Sequence, residues 1–367
     1  FLAAIAGFPA HAQELGPRPN MQAGEFDEPP VLDGEVVADP AWRGFEAATG
    51  FVQVRPDAGE AASEKTEVFV GFTEEALYIG VVAHGGDPAL TVVSDSRRDA
   101  SLDNADAILV VIDSLLDRRN GFVFGTNPAG MQYDGQVVKE GQSSTMGMGG
   151  GGINLNWDGS WEVASRHGDA GWSAEMRIPF RTLRYGDGEA QTWGINFQRN
   201  FRRRQETAYW APLSREHNLY RISEAGTVAG VAPPPQRNFK FTPYVLGSAA
   251  RGGLLPGGTH TDTDAGFDIK YSITPSLTLD ATYNTDFAQV ESDEQQLNLD
   301  RFSLFFPEKR PFFLENAGQF NVGNPSRAEL FFSRRIGIGP DGIPIAIEGG
   351  LRLSGKIGGS TNVGLLH

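Results

Sequence analysis

Cysteine is absent from this chain of 367 residues. The protein therefore has no disulfides, thiol nucleophiles or cysteine-ligated metals, although this absence does not choose a compartment. No run of about 18 apolar residues follows the first dozen positions, so we expect no transmembrane helix. The motifs His-Glu-x-x-His and Gly-x-Ser-x-Gly and the phosphate-binding loop are also missing, and the sequence predicts no catalytic residue.

Basic charge is low relative to acidic charge. The chain has 31 lysine and arginine residues against 46 aspartate and glutamate residues, which leaves a net charge of -15. Such a chain repels phosphate backbones, so we expect no nucleic-acid partner. The sequence does not indicate an oligomeric state.

The N-terminal residues have the composition of a secretory signal. Residues 1–12 read FLAAIAGFPAHA, an apolar stretch that ends in a small-x-small cleavage pattern. We therefore predict a signal-peptide remnant at 1–12, an exported protein, and a polar linker at 13–27. Since Phe1 is preceded by no methionine and the chain stops abruptly at His367, we expect a piece of a longer protein.

Short apolar runs separated by turns dominate residues 28–230. This spacing predicts an N-terminal β-sandwich, with little helix beyond short turns near Ala41 and at 180–183. The predicted strands lie at 66–72, 77–83, 107–112, 121–125, 161–165, 172–178 and 193–201.

A proline-rich segment at 231–237 is the predicted linker to a second unit, 238–367. There, apolar and polar residues alternate strictly in hairpins at 267–283 and 348–366. The polar positions include Asp268, Lys270, Asp280, Arg352 and Lys356. The alternation fits the start of an outer-membrane β-barrel or a second soluble sandwich. We predict an all-β protein, a β-sandwich followed by antiparallel hairpins of a truncated outer-membrane barrel.

Two resemblances extend this interpretation. Residues 28–230 resemble family 9 carbohydrate-binding modules, through motifs such as Val31-Leu-Asp-Gly34, Ala41-Trp42 and Gly171-Trp-Ser-Ala-Glu-Met-Arg-Ile-Pro-Phe180. The segments 284–293, 301–316 and 331–337 resemble an uncharacterised bacterial family, the domain of unknown function 5916. The second resemblance implies residence in the bacterial outer membrane, in contact with its lipid.

Saccharide binding usually uses exposed aromatic rings. Of the six tryptophans, Trp157 and Trp161 lie beside a glycine-rich loop at 147–152, and Trp210 lies at a strand end. We expect these three to reach the surface and to be the candidate stacking residues for an oligo- or polysaccharide. Packing in the core is the alternative for each of them.

The resemblance to sugar-binding modules also implies two missing groups. The family places a stacking tryptophan and a carboxylate where this chain has Asp103 and Leu109. The fold is therefore expected to be retained without the sugar specificity of the family.

Acidic residues crowd one segment. Asp99, Asp103 and Asp106 offer the hard oxygen ligands that calcium prefers, and a solvated acidic turn is the alternative. Calcium is the one cofactor that the sequence suggests.

The leading functional hypothesis is a non-catalytic, carbohydrate-binding-like outer-membrane protein for glycan capture or uptake. One alternative is a hydrolase of O-glycosyl compounds in carbohydrate catabolism, which would be a glycoside hydrolase. The other is a structural sandwich that seats the barrel without a ligand.

Overall fold

The structure is a computed structural model of the chain. It describes the two predicted units with several gaps, and the signal remnant at 1–12 and the glycine-rich loop at 147–152 lie outside the described residues. The described residues are 16–85, 91–141, 153–155, 157–168, 171–186, 188–235, 239–251, 259–274, 276–284, 310–314, 320, 323–324, 328–329, 331, 333–337, 345, 347–357 and 361–367.

Strands dominate residues 20–231. Helix is confined there, among the described residues, to short 3-10 turns, which include Pro40–Trp42, Phe180–Thr182, Arg202–Arg204 and Ile222–Glu224. The strands are β1 (Asn20–Gln22), β2 (Gly24–Glu25), β3 (Ala47–Ala48), β4 (Val52–Arg55), β5 (Thr66–Phe72), β6 (Ala76–His84), β7 (Ala107–Asp113), β8 (Gly121–Thr126), β9 (Tyr133–Val137), β10 (Ile153–Asn154), β11 (Glu162–Gly168), β12 (Gly171–Pro179), β13 (Gln191–Phe201), β14 (Glu206–Tyr209) and β15 (Gly226–Val231).

These strands form two sheets that pack face to face. The nine-stranded sheet has the order β1-β15-β13-β7-β8-β9-β10, with β14 pairing both β13 and β4. The six-stranded sheet has the order β11-β12-β6-β5-β2, with β3 pairing β5. The predicted sandwich is thus confirmed, and each strand predicted from alternation is present.

Alternation explains how the core between the sheets forms. On β7, Ile108, Val110 and Ile112 point to the core, where they meet Trp172 and Met176 of the six-stranded sheet. Side chains at successive positions of a strand point to opposite faces. The intervening residues of β7 therefore face away from the core, and they pack in a second apolar cluster on the outer side of the sheet.

Residues 20–25, which lie within the predicted linker, form two strands of the sandwich, so the prediction of a linker is wrong for this stretch. Strand β1 pairs in parallel with β15, and β2 pairs in parallel with β5. Met21 is buried between the sheets. The segment crosses from one sheet to the other within six residues, and parallel pairing to distant strands leaves no local sequence signal.

A buried carboxylate organises the outer face of the six-stranded sheet. Glu175 on β12 accepts hydrogen bonds from the backbone N–H groups of Asp33 (3.1 Å) and Gly34 (2.9 Å) and from Nε1 of Trp42 (2.8 Å). The ring of Trp42 covers Gly80, where a Cβ would lie 2.9 Å from the indole. The segment 31–42 is therefore held over the sheet by Glu175, together with Ser173, whose hydroxyl donates to the carbonyl of Gly34 (2.6 Å).

The second unit contains a separate antiparallel sheet. Its elements are β16 (Phe239–Arg251), β17 (Thr259–Thr274), β18 (Leu277–Tyr283), α1 (Pro311–Leu314), β19 (Gly323–Asn324), β20 (Ala328–Glu329), β21 (Gly349–Ile357) and β22 (Thr361–Leu366). Five of the strands form the sheet, in the order β16-β17-β18-β21-β22, and the short strands β19 and β20 pair with each other.

Burial on this sheet is the reverse of that in a soluble sandwich. The polar face is covered: Arg352 is 1% exposed and bonds Asp280 through its Nη2 (2.7 Å), and its guanidinium lies over the ring of Phe312 in α1. The apolar face is open: Val245 is 83% exposed and Tyr283 is 58% exposed. Each face is built from the residues that the alternation predicted.

The hairpins at 267–283 and 348–366 are confirmed by the pairings of β17 with β18 and of β21 with β22. The described strands form an open sheet, and their membership of an outer-membrane barrel stays a prediction.

Among the described residues, no helix combines the length and the apolar character needed to cross a membrane.

Candidate functional site

A cleft of about 760 Å³ opens on the outer face of the nine-stranded sheet, on the side away from the sandwich core. It lies over the second apolar cluster and receives side chains from β4, β7, β9, β13 and β14 and from the loops at 99–104 and 215–220. The lining residues include Val54, Arg55, Asp99, Ser101, Leu102, Asp103, Asn104, Leu109, Tyr133, Gln198, Asn200, Arg202, Thr207, Tyr209, Arg215, His217, Asn218 and Tyr220.

The floor of the cleft is a row of residues on five neighbouring strands. The register aligns Tyr133 with Gly125, Gly125 with Leu109, Leu109 with Gln198, and Gln198 with Tyr209. A Cβ at position 125 would lie 2.9 Å from Leu102 and 3.0 Å from Leu109, which is closer than side chains pack. Glycine at this position thus makes room for the side chain of Leu102, which packs over it beside Leu109.

Three tyrosines supply neutral hydroxyl groups to this site. The hydroxyls of Tyr133 and Tyr220 lie 3.3 Å apart, and Tyr209 lies at the far end of the row. Burial raises the pKa of all three tyrosines. They therefore stay protonated at physiological pH, where each hydroxyl can donate and accept a hydrogen bond.

Amide side chains stand beside the tyrosines. Nε2 of Gln198 donates to Oδ1 of Asn200 (2.8 Å), and Nδ2 of Asn200 donates to the carbonyl of Leu102 (3.1 Å). These bonds hold both amides in place at the centre of the sheet. Half-buried Gln198 is the member of the pair that lies in the floor row.

The three predicted stacking tryptophans lie on the other face of this sheet. Trp161 and Trp210 are each 5% exposed, so the expectation that they reach the surface is wrong. Trp157 is half-buried, with its ring 4.9 Å from that of Phe122. None of the three lines the described cleft. The reason is strand alternation: Tyr209 points into the cleft, and Trp210, the next residue, points into the core beside Phe197.

The two positions implied by the resemblance do lie at the site. Both Asp103 and Leu109 line the cleft, with Leu109 in the floor row. Here the aromatic groups come from tyrosines on β9 and β14 and from Tyr220. Sequence reasoning missed these residues because it searched for tryptophan. The signal was present in β13, where Gln198 and Asn200 alternate with the core residues Ile195 and Phe197.

The three predicted calcium ligands point in different directions. Asp106 is buried and accepts from the backbone N–H groups of Val92 (2.7 Å) and Arg202 (2.9 Å), while Asp103 bonds Ser101. Asp99 turns instead toward another group of carboxylates. The expectation of one shared site for these three residues is therefore wrong, because Asp106 is used to join two backbone segments.

The carboxylate group that the structure does assemble contains Asp99, Asp134 and Asp158, with ligand oxygens within 4.8 Å of one another. Arg98 contacts all three, at 3.4 Å, 2.6 Å and 3.0 Å respectively. Burial raises the pKa of Asp99 and Asp134. The guanidinium occupies the place of a cation, so the cluster is an internal ion-pair network.

Two further acidic residues have structural partners. Glu140 pairs with Arg221 (3.0 Å) and accepts from the backbone N–H of Ser223 (3.0 Å). Glu175 holds the segment 31–42, and burial raises its pKa. Neither residue lines the described cleft.

Comparisons with known proteins address the two units separately. The family model of the domain of unknown function DUF5916 matches residues 234–348, which agrees with the resemblance stated for that part. No curated protein sequence matches the chain. Similar solved structures include a family 9 carbohydrate-binding module from Caldicellulosiruptor kristjanssonii in complex with cellotriose, at 16% identity, with a TM-score of 0.41, over 57% of this chain and 93% of that chain.

A second structure from the same organism, a family 9 module in complex with glucose, has 17% identity and a TM-score of 0.42, over 59% of this chain and 97% of that chain. A candidate carbohydrate-binding protein from Bacteroides uniformis has 13% identity and a TM-score of 0.45, over 58% of this chain and 99% of that chain.

Proposed function

We propose that the cleft on the nine-stranded sheet binds a saccharide without acting on it chemically. The observation that carries this proposal is the floor row from Tyr133 through Leu109 and Gln198 to Tyr209. A pyranose ring has apolar faces and a rim of hydroxyls, and this floor combines tyrosine and leucine side chains with an amide. A volume of about 760 Å³ lies within the range of small-molecule sites, roughly 300–1,000 Å³.

A non-catalytic role is supported by the condition of the carboxylates near the cleft. A glycosidase needs two carboxyl groups about 5–10 Å apart that reach the sugar. Asp99 and Asp134 are close enough, but the side chain of Asp134 is 0% exposed. It already accepts from Gly159 N–H (2.6 Å), Trp161 Nε1 (3.1 Å) and Arg98. Its hydrogen bonds leave it no access to a substrate.

Replacing Gln198 with alanine is expected to weaken saccharide binding about threefold to tenfold. One hydrogen bond to a neutral group contributes about 0.5–1.5 kcal/mol, and about 1.4 kcal/mol corresponds to tenfold in affinity. The measurement is calorimetric titration of the full chain with neutral and acidic oligosaccharides. Thr192→Ala is the matched control, since Thr192 is exposed on the same strand outside the cleft. Failure of the unaltered chain to bind any oligosaccharide would reject the proposal, as would equal effects of the two variants.

We further propose that the apolar face of the C-terminal sheet lies against lipid, as the outer-membrane location expected from the sequence requires. Large exposed apolar surfaces mark sites of association with a partner or a membrane. Several facts favour lipid: the exposed face carries Phe239, Phe241 and Tyr283, and the opposite face buries the ion pair of Asp280 and Arg352. Apolar residues outside and polar residues inside are typical of strands in a bilayer.

Leu351→Lys is expected to release the protein from membranes. A lysine on the lipid-facing side of a strand costs about 2–4 kcal/mol at the bilayer midplane. Asn362→Lys is the control, because register aligns Asn362 with Lys356 on the polar face. The measurement is the fraction of full-length protein that stays with envelope membranes during alkaline carbonate extraction. Complete extraction of the unaltered protein, or equal retention of the Leu351 variant, would contradict the proposal.

A further inference from the structure

Three arginines line the cleft along its β4 and β14 side. Arg55 ends β4, opposite Thr207 on β14; Arg202 lies in the 3-10 turn after β13; Arg215 lies in the loop after β14. Arg55 and Arg215 are exposed, and Arg202 is half-buried. The three residues come from separate segments and line one cavity.

Several other arginines in the described part of the chain are paired with acids. Arg97, Arg98, Arg177 and Arg221 each lie within 3.2 Å of a carboxylate oxygen. No described carboxylate lies within ion-pair distance of the guanidinium groups of the three cleft arginines.

The contacts that two of these arginines do make leave their charge uncompensated. Arg215 donates to the carbonyl of Pro56, and Arg202 contacts Asp106 only through its backbone N–H. The fourth basic residue of the lining, His217, has its own acid, Glu224, at 2.8 Å. The positive charge in the cleft therefore belongs to the three arginines.

The positive charge of these three arginines contrasts with the net charge of the protein. The chain has a net charge of -15, so most of its surface repels anions. Guanidinium groups with no carboxylate within ion-pair distance raise the local concentration of anionic ligands around them. An anionic group bound there would also relieve the repulsion among the arginines.

The loop at 99–104 adds carboxylates to the same lining. Asp103 is exposed and bonds the hydroxyl of Ser101, and Asp99 also lines the cleft. Carboxylates accept hydrogen bonds from sugar hydroxyls and repel an anionic group. A ligand that carries both an anionic group and hydroxyls matches both kinds of side chain.

We propose that the cleft takes an acidic saccharide, whose carboxylate is held by Arg55, Arg202 and Arg215 and whose hydroxyls meet Gln198, the tyrosines and Asp103. This inference rests on the proposed saccharide binding and names its substrate class. Arginine suits the task because its planar fork of donors matches a carboxylate with two parallel hydrogen bonds.

The test is calorimetric titration of the full chain with trigalacturonate, with neutral cellotriose and with a sulfated neutral trisaccharide. Trigalacturonate is expected to bind at least about tenfold more tightly than cellotriose, with an affinity that falls as salt rises. Arg55→Gln and Arg202→Gln are each expected to lose about tenfold to a hundredfold for trigalacturonate, the range of a charge-assisted hydrogen bond, and little for cellotriose. Arg43→Gln is the control, since Arg43 is exposed outside the cleft.

The outcomes separate this inference from the function on which it rests. Equal affinity for trigalacturonate and cellotriose, with both arginine variants unaffected, would overturn the acidic-saccharide assignment and leave saccharide binding standing. Equal affinity for the sulfated and the uronic ligand would overturn the assignment to a carboxylate. If no ligand binds to chain whose melting temperature is normal, both proposals fail. If either variant has lost its melting transition, Arg215→Gln is measured in its place, because Arg215 is exposed and lies in a loop.

Discussion

Glu175→Ala is expected to lower the free energy of unfolding of the sandwich by about 3–5 kcal/mol, the usual cost of removing one partner of a buried charged interaction. The carboxylate is fully buried and is the acceptor for three donors, the N–H groups of Asp33 and Gly34 and Nε1 of Trp42. Without it, the N–H of Gly34 and Nε1 of Trp42 stay buried with no acceptor, at about 1–3 kcal/mol apiece before relaxation, while the N–H of Asp33 is only partly buried. Trp42 would also lose the bond that orients its ring over Gly80.

The measurement is urea unfolding of the full chain, followed by tryptophan fluorescence. Glu162→Ala is the matched control: Glu162 lies on the neighbouring strand, and its exposed ion pair with Arg177 (3.0 Å) is expected to contribute less than about 1 kcal/mol. Glu175→Gln should lie between the two, since an amide retains one acceptor oxygen. A loss in Glu175→Ala no larger than that in Glu162→Ala would contradict the assigned role.

Arg98→Ala is expected to destabilise the sandwich by about 2–3 kcal/mol at pH 7. The side chain of Arg98 is 40% exposed, but that of its partner Asp134 is 0% exposed, so the variant leaves a buried carboxylate without its cation. This loss is smaller than the about 3–5 kcal/mol expected when one partner of a fully buried ion pair is removed, because water can enter the space left by Arg98. Arg97→Ala, which removes an 85% exposed neighbour paired with Asp95, is the control, and it is expected to leave the stability unchanged because an exposed ion pair contributes little.

The loss is expected to depend on pH in a defined direction. Burial already raises the pKa of Asp99 and Asp134, and removing Arg98 raises both further. A carboxyl whose folded pKa lies above its unfolded value binds more protons in the folded state, so stability falls as pH rises above about 4. Arg98→Ala should therefore cost more at pH 7 than at pH 4. A loss that is equal at both pH values would show that the cluster does not act through charge.

Calcium supplies a second readout for the same variant. With Arg98 removed, three carboxylates lie within 4.8 Å of one another, and oxygen ligands of this kind suit calcium. Millimolar calcium is expected to raise the melting temperature of Arg98→Ala, because a ligand of the folded state stabilises it, and to leave the unaltered chain unchanged. The double variant with Asp158→Asn should respond less. Equal responses of the unaltered chain and Arg98→Ala would refute the idea that Arg98 takes the place of a cation.

Local pattern was enough for seven strands of the sandwich and four strands of the C-terminal unit. The alternation of β5 and β18 and the turns beside them placed these elements within a residue of their bounds. The same alternation predicted which residues of β17, β18 and β21 share the polar face, because that property depends only on the parity of neighbouring positions. The apolar stretch between Thr66 and His84 likewise predicted its hairpin.

The cleft could not be predicted in this way. Its floor takes one residue from each of five strands, from Tyr133 on β9 to Tyr209 on β14, and no local pattern says which strands are neighbours. Strand alternation also determined which aromatic residues line the cleft, since Tyr209 faces the cleft and the next residue, Trp210, faces the core. Asp106 is another example, because its partners Val92 and Arg202 are brought together only by folding.

By itself, the sequence determined an all-β chain, its strands, the polar and apolar faces of the C-terminal hairpins, and the absence of cysteine chemistry. These are properties of composition and of short-range periodicity, which a single sequence carries in full. Only the tertiary structure decided that β1 and β2 close the edges of the two sheets, that Arg98 neutralises Asp134, and that Arg55, Arg202 and Arg215 meet in one cleft. Those outcomes depend on strand order and register between distant segments, which are set by the packing of the whole sandwich.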